Sequence, residues 1–390
     1  MRLFALAGAS AAVVANGYYV QPLIGRVAAQ FRLGAAMSGI IPAANQVALA
    51  LGIFFLLPLG DRVGPRRLTL MFVVPQLLAV AGMAMAKSFA LFVACSTVLG
   101  FFTITPYLVP AYVSKHVPVA RLGYATAVIS AGVTGGILFA RAGGGLIGRY
   151  FGWRAVYEAG AGLMLIVCFL MPFVMQERRD PALARPRLSY LLLLRTLPSI
   201  VREHPGVLLS AAIQALNFGI FLSVWLGISL HLTSPQMGYG VDTVGYLGGF
   251  SLLNLATTPR LGALADRIGA RRGRLIAAFV QWIGVAALGF AGGSLWLLTV
   301  PVLIMTLAGP VIDITGRMTL FEKDHEIRTR LMTIYITVMF MAGGAASWAG
   351  TAAYGRAGWP GIVALELALS TLLTVLAYAS LRRWRRPDAP

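Results

Sequence analysis

The sequence predicts an all-α membrane protein of twelve transmembrane helices arranged as two repeating halves. Three observations carry this. First, the 390 residues are 58% hydrophobic and only 12% charged, with a mean hydropathy of +0.79, whereas a water-soluble domain devotes roughly a quarter of its residues to charge. Second, apolar runs of about twenty residues recur, each long enough to cross a bilayer. Third, landmarks of the first half return in the second at nearly one offset. Asp61 and Asp266 are 205 positions apart, Trp153 and Trp359 (each after a Gly) 206, and Arg121 and Arg328 (each opening a span after a basic loop) 207. A constant offset marks a parallel internal repeat.

Taken in order, the first span is Leu3–Leu23 and the second Ala35–Leu59. With Arg2 before it, the run Leu3–Val20 has the look of a signal peptide, but the many spans behind it identify it as the first of the series. Leu68–Ala86 and Phe89–Val113 follow, then the basic loop Lys115–Arg121. Leu122–Ile147 is the fifth span, and Trp153 opens a sixth that ends near Met175. Gln176–Pro205, rich in Arg and Pro, is the longest polar stretch and reads as a linker with one surface helix, Tyr190–Val201. The second half runs Gly206–His231, Asp242–Leu264, Leu275–Gly292, Leu295–Leu320, Arg330–Ala353 and Gly361–Leu381. The domain limits that result are 1–175, a linker 176–206, 207–381, and a basic tail 382–390.

The net charge of +19 does not point to nucleic acid, because the bases are dispersed over short loops between apolar runs. The loops after spans two, four, six, eight and ten, with the tail Arg382-Arg383-Trp384-Arg385-Arg386, hold most of them. The positive-inside rule makes that face cytoplasmic and puts both termini there. Cys95 and Cys168 lie inside apolar segments, which implies neither a disulfide framework nor a metal site.

Two loops carry the most specific motif. After span eight stands Gly262-Ala-Leu-Ala-Asp266-Arg267-Ile-Gly269-Ala-Arg271-Arg272; after span two, Asp61-Arg62-Val63-Gly64-Pro65-Arg66-Arg67. Each sets an acid beside Arg, a Gly two residues on, and then paired Arg. Gly64 and Gly269 supply the backbone freedom of a tight reversal, and the charges form a clasp between helix ends. This pattern resembles the loop signature G-x-L-A-D-R-x-G-R-K of the major facilitator superfamily. The second copy matches nearly throughout; in the first, Leu57 replaces the leading Gly and Pro65 interrupts the end. Span one also carries Asn16-Gly-Tyr18-Tyr19-Val-Gln21-Pro22-Leu23, and span five Gly136-Ile-Leu-Phe-Ala-Arg141, as in bacterial efflux-type permeases of the drug and sugar efflux kind. The resemblance covers nearly the whole chain. It implies two six-helix bundles (the major facilitator fold), a bacterial inner-membrane location, and switch loops made of Asp61, Arg62, Gly64, Arg66, Gly262, Asp266, Arg267, Gly269 and Arg271.

Polar residues at membrane depth face a bundle interior or a wet cavity, since exposure to lipid is costly. The resemblance implies a cavity lined by spans one, four, seven and ten, with two, five, eight and eleven beside them. The polar side chains on those helices include Asn16, Tyr18, Tyr19 and Gln21, then Asn45 and Gln46, then Gln214 and Asn217, with Phe221 and Trp225 continuing that face at helical spacing, and Ser251 and Asn254. Each is a candidate for substrate contact or for an interhelical hydrogen bond. Arg141 lies in the outer third of span five and cannot shed its proton, so it is an anion anchor or a structural counter-charge. Asp313 lies in the inner half of span ten, with Arg317 one turn on. It is either half of a static pair or a proton-coupling site whose charge depends on hydration and on Arg317. Glu158 and Glu366, 208 positions apart on peripheral spans, are assigned snorkelling or structural roles. Span five is dense in Gly (132, 135, 136, 143, 144 and 145), and span eleven answers with Gly343 and Gly344. These allow close packing. They also resemble the Gly-rich antiporter signature, though without its Gly-Pro step.

A membrane enzyme needs convergent nucleophile, base or metal ligands. His116, His204, His231 and His325 all sit at span ends or in loops, and neither H-E-x-x-H, G-x-S-x-G nor a Walker lysine loop occurs. A receptor or channel does not predict duplicated loops. The expectation is a secondary active transporter of a small molecule working by alternating access, as a proton-coupled antiporter exporting its substrate. Proton-coupled uptake and facilitated diffusion are the alternatives. The expected partners are substrate, protons and lipid, with no cofactor, metal or nucleic acid, and a monomeric state.

Overall fold

The structure, a computed structural model, describes residues 2–175, 199, 201–322 and 327–385. All regular structure among them is helical. Ten helices are long and apolar enough to cross a membrane. One of these, Arg328–Arg385, is two spans joined at Ala357 and Gly358, where the backbone leaves helical geometry. A further span is assembled from Val241–Gly248, a 3-10 turn Gly249–Leu252, and Leu253–Ile268. Twelve spans result, as the sequence predicts.

Local chemistry explains where the helices end. Gly64 and Gly269 adopt φ of 88° and 90°, a conformation costly for any residue with a Cβ, and each joins two helices at an abrupt corner. Ser88 caps span four by accepting the Leu91 backbone N–H at 3.3 Å. Span four is not continuous as expected. Phe89–Phe102 and Thr105–His116 are separate helices, broken at Thr103 and Ile104, because Pro106 has no N–H to donate to the Phe102 carbonyl four residues back. Span one extends past the expected Leu23 to Gln30, since polar Arg26 is satisfied by donating to the Gly148 carbonyl. The expected surface helix Tyr190–Val201 lies largely outside the described residues, as does the end of the basic tail.

The largest buried cluster, which includes Ile220, Val224, Trp225, Val285 and Leu298, comes wholly from spans seven to twelve. Another, around Leu6, Val13, Met164 and Met171, comes wholly from spans one to six. A third mixes the two, setting Leu49, Ile53 and Leu108 with Leu331, Tyr335 and Phe340. Between the halves, span two packs on span eleven, span five on span eight, and span one on span seven. The contact of spans five and eight runs through Val241–Gly248 and Gly249–Leu252; Leu253–Ile268 packs instead on spans nine and ten. At the same end, Arg149 of span five pairs with Asp242 of span eight at 2.6 Å. Spans five and eight are therefore closed at the end away from the basic loops and part toward those loops.

Candidate functional site

A cavity of about 270 Å³ lies between the halves. Span seven lines more of it than any other span because Gln214, Asn217, Phe218, Phe221, Trp225 and Ile228 fall at three- and four-residue spacing on one face. Spans eight, nine and ten add Asn254, Gln281, Met305, Thr306 and Asp313, and the first half adds Tyr18 and Ile137. A second cavity of about 110 Å³ is lined mainly by spans one, two, four and five, including Asn45, Gln46, Thr103 and Tyr107, with Phe340 reaching over from span eleven. Tyr18 and Ile137 wall both cavities.

Asp313 is the only carboxylate lining either cavity among the described residues. Arg317 donates from Nε to both of its oxygens, at 2.9 and 3.1 Å, and the Tyr335 hydroxyl donates to Oδ1 at 3.2 Å. The pair is partly open, with 27% of the Asp313 side chain and 34% of Arg317 exposed. The i,i+4 spacing sets the carboxylate and guanidinium on one helical face, and span eleven brings Tyr335 against them. The carboxylate is thus held by two donors and still opens onto the larger cavity.

The carboxamides divide into partnered and unpartnered groups. Asn217 donates to Gln214 Oε1 at 3.0 Å and to the Gly309 carbonyl at 3.1 Å. Gln214 reaches Met339 Sδ at 3.3 Å, and Asn45 donates to the Ser96 carbonyl at 2.8 Å. These bonds tie cavity-lining helices together. Asn254 Oδ1 and Gln281 Oε1 have no hydrogen-bond partner among the described residues, although both residues line the larger cavity.

Asn16 and Tyr19 depart from expectation. Neither lines either cavity. Tyr19 is buried in the first-half core with its ring edge-on to Tyr157, centroids 6.1 Å apart. Asn16 is buried against span six, near Gly160. The neighbour Tyr18 faces the cavities instead, because successive residues of a helix point about 100° apart. Gln21 and Arg141 also stand outside the cavity linings. Arg141 is fully buried, donates from Nε to Gln21 Oε1 at 2.8 Å, and lies over the rings of Trp225 and Phe221, 4.1 and 4.6 Å from their centroids.

In the switch loops, the side chains of Asp61 and Arg62 lie outside the described residues. Asp266 is exposed and makes no ion pair among the described residues. Its expected clasp is made by a neighbour, Arg271, which forks onto Glu322 at the end of span ten, at 2.8 and 3.1 Å. Arg66 donates to the Met175 carbonyl at 2.6 Å, tying the first loop to the end of span six. The two span-end glutamates also differ. Glu158 is exposed, whereas Glu366 is wholly buried and bonded to Ser223, so only Glu158 is placed to snorkel.

Sequence reasoning named Tyr18 among the polar residues of span one but passed over Gln281 and Tyr335. Gln281 carried a usable signal as a lone carboxamide in mid-span, but span nine is not among the helices expected to meet the cavity. Tyr335 carried none, being an aromatic residue among other large apolar ones.

Residues 6–323 match the profile of the Major Facilitator Superfamily. The chain is similar to the uncharacterized transporter YgaY of Escherichia coli O157:H7, 28% identical over 385 residues, covering 98% of this chain and 95% of that one. It is also similar to the probable transporter SCO4007 of Streptomyces coelicolor, 28% identical over 364 residues, covering 91% and 82%. The multidrug resistance protein MdtG of Escherichia coli is 21% identical over 356 residues, covering 90% and 86%. Among solved structures, a bacterial homolog of the human lysosomal transporter Spinster, inward-facing and occupied, matches with a TM-score of 0.77 at 13% identity over 100% of this chain and 98% of that one. A D-xylose-proton symporter matches with 0.73 at 16% identity over 97% and 98%. Profile, relatives and fold agree: the chain belongs to the Major Facilitator Superfamily and is an integral membrane transporter, not an enzyme.

Proposed function

We propose that this protein is a proton-coupled exporter of small, largely apolar molecules, working as a monomeric antiporter in the bacterial inner membrane. The observation that carries the reading is Asp313, a single carboxylate in a cavity otherwise walled by aromatic and aliphatic side chains, neutral amides and a hydroxyl. Two bundles, 1–175 and 207–381, joined by the cytoplasmic linker 176–206, rock about that cavity. Both termini and the basic loops face the cytoplasm, so the arrangement described here is the inward-facing one. Rocking changes both the hydration of Asp313 and its distance from Arg317 and Tyr335. The carboxylate then takes a proton on one side and releases it on the other, while substrate moves the opposite way. Phe218, Phe221 and Trp225 offer flat apolar surface to cargo, and the similarity to MdtG, named as a multidrug resistance protein, favours export over uptake.

The test is transport by proteoliposomes of a panel of aromatic and aliphatic compounds, with and without an imposed pH gradient. Asp313→Asn should abolish pH-driven movement and leave substrate exchange, and adding Arg317→Gln should not rescue it. Were the pair only structural, the double substitution would largely restore function, because no charge is left unmatched. PH-driven transport at the wild-type rate in Asp313→Asn removes the proposal. Accumulation down the same gradient as the proton would make the protein a symporter using the same acid.

A further inference from the structure

We propose that Arg141 is the latch of the cavity's closed end, docked on Trp225 and Phe221 as a cation on two rings, and that this dock sets how often the closed end opens. Three features coincide at this residue. Its guanidinium carbon lies 4.1 Å from the Trp225 centroid and 4.6 Å from that of Phe221. The rings sit one helical turn apart, so one planar cation covers both. The residue belongs to span five and the rings to span seven, so the contact crosses the seam between the halves. Finally, the backbone beside it is packed too closely to slide freely: a side chain on Gly248 of span eight would meet Arg141 Cβ at 3.0 Å, and one on Gly245 the Arg141 carbonyl at 2.9 Å.

The chemistry suits a latch better than a permanent rivet. Within a buried site a cation over aromatic faces holds strongly, yet it has no fixed hydrogen-bond direction to break and re-form. Gln21 of the same half accepts from Nε at 2.8 Å, so the guanidinium keeps one partner when the other half swings away. Arg141 is thus carried by the first half and docks on the second. Its docking partners also wall the cavity, so any cargo that turns Trp225 or Phe221 from inside disturbs the dock. This role differs from that of the outer pair Arg149–Asp242, in which 45% of the Arg149 side chain is exposed; exposed pairs contribute little.

The inference rests on alternating access but not on proton coupling, and its test needs no substrate. Spin labels placed by Phe151→Cys and Tyr239→Cys, both at exposed positions on opposite sides of the closed seam, with Cys95 and Cys168 replaced by Ala, report the seam distance in lipid nanodiscs. The parent should show a dominant short distance and a minor long one. Arg141→Met and Trp225→Leu should each raise the long-to-short ratio about tenfold, within the range of a desolvated cation–π contact. The double substitution should add little to either. Trp225→Phe keeps a ring, protects folding, and should give an intermediate ratio; Arg141→Lys, which keeps the charge but loses the plane that covers both rings, should also fall between the parent and Arg141→Met. Two populations whose ratio ignores Arg141→Met and Trp225→Phe, or independent additive effects in the double variant, overturn the latch alone. A single short distance in every variant and at acidic and alkaline pH overturns both the latch and alternating access.

Discussion

The two halves repeat in sequence but present different chemistry to the interior. The larger cavity takes most of its wall from spans seven to ten and holds the charged Asp313, with Tyr335 and Arg317 behind it. The smaller one, on the first-half side, is lined by amides, hydroxyls and apolar groups with no charged side chain. What the repeat preserves is backbone: the glycine corners at 64 and 269 with matching φ, and tight seams at span five and span eleven. What it does not preserve is the polar side chains at depth. The buried arginines show the same divergence. Arg141 of the first half meets aromatic rings across the seam. Arg274 of the second half stays within its own half, donating to the Thr315 carbonyl and Thr319 Oγ1 at 2.9 Å each. A duplicated scaffold needs both copies to pack, whereas each charge at that depth has a desolvation cost, so the backbone is repeated and the charge is not.

That contrast can be broken most severely at Asp313. Asp313→Asn should reduce pH-driven transport in proteoliposomes to the level of empty vesicles. In the other cavity, Gln46→Leu should slow transport only a few-fold with an unaltered pH profile. A pH profile that shifts in Gln46→Leu would show that the first half shares the coupling. A smaller effect is expected at Tyr335. Removing its hydroxyl with Tyr335→Phe deletes one bond to the carboxylate, worth about 1 kcal/mol or roughly fivefold in rate, and should displace the pH optimum, which a purely packing role would not do. The loops rank next. Asp266 makes no ion pair among the described residues in this arrangement, so Asp266→Asn acts through a pair formed only in the other state. It should slow transport about threefold at equal membrane abundance, in keeping with the modest strength of exposed pairs, while Asp61→Asn, in the degraded copy, should do less; equal effects would mean that both loops switch alike. The smallest effect should be that of Glu322→Gln. It removes the exposed fork with Arg271 and should lower the thermal midpoint by only about 2 °C, read by scanning fluorimetry.

Much of this molecule is legible in one dimension. A span must satisfy its own backbone hydrogen bonds within about twenty apolar residues, so composition and run length alone locate the helices. The nearly constant offset from Asp61 to Asp266 and from Trp153 to Trp359 reveals the duplication, because insertions accumulate in loops rather than in spans. The pairing of Asp313 with Arg317 is equally local, fixed by the helical repeat. Tertiary structure decides matters that no periodicity contains. Tyr18 and Tyr19 have the same chemistry and adjacent numbers, yet which of them meets the cavity depends on the rotation of span one against its neighbours. Arg271, not Asp266, makes the observed loop contact because the end of span ten brings Glu322 within reach, 51 positions along the chain. Arg141 finds its rings on a helix of the other half, at a distance and angle set by how two rigid bundles meet. Local sequence dictates where a helix lies and which residues share its faces; only the assembled bundles determine what each face touches.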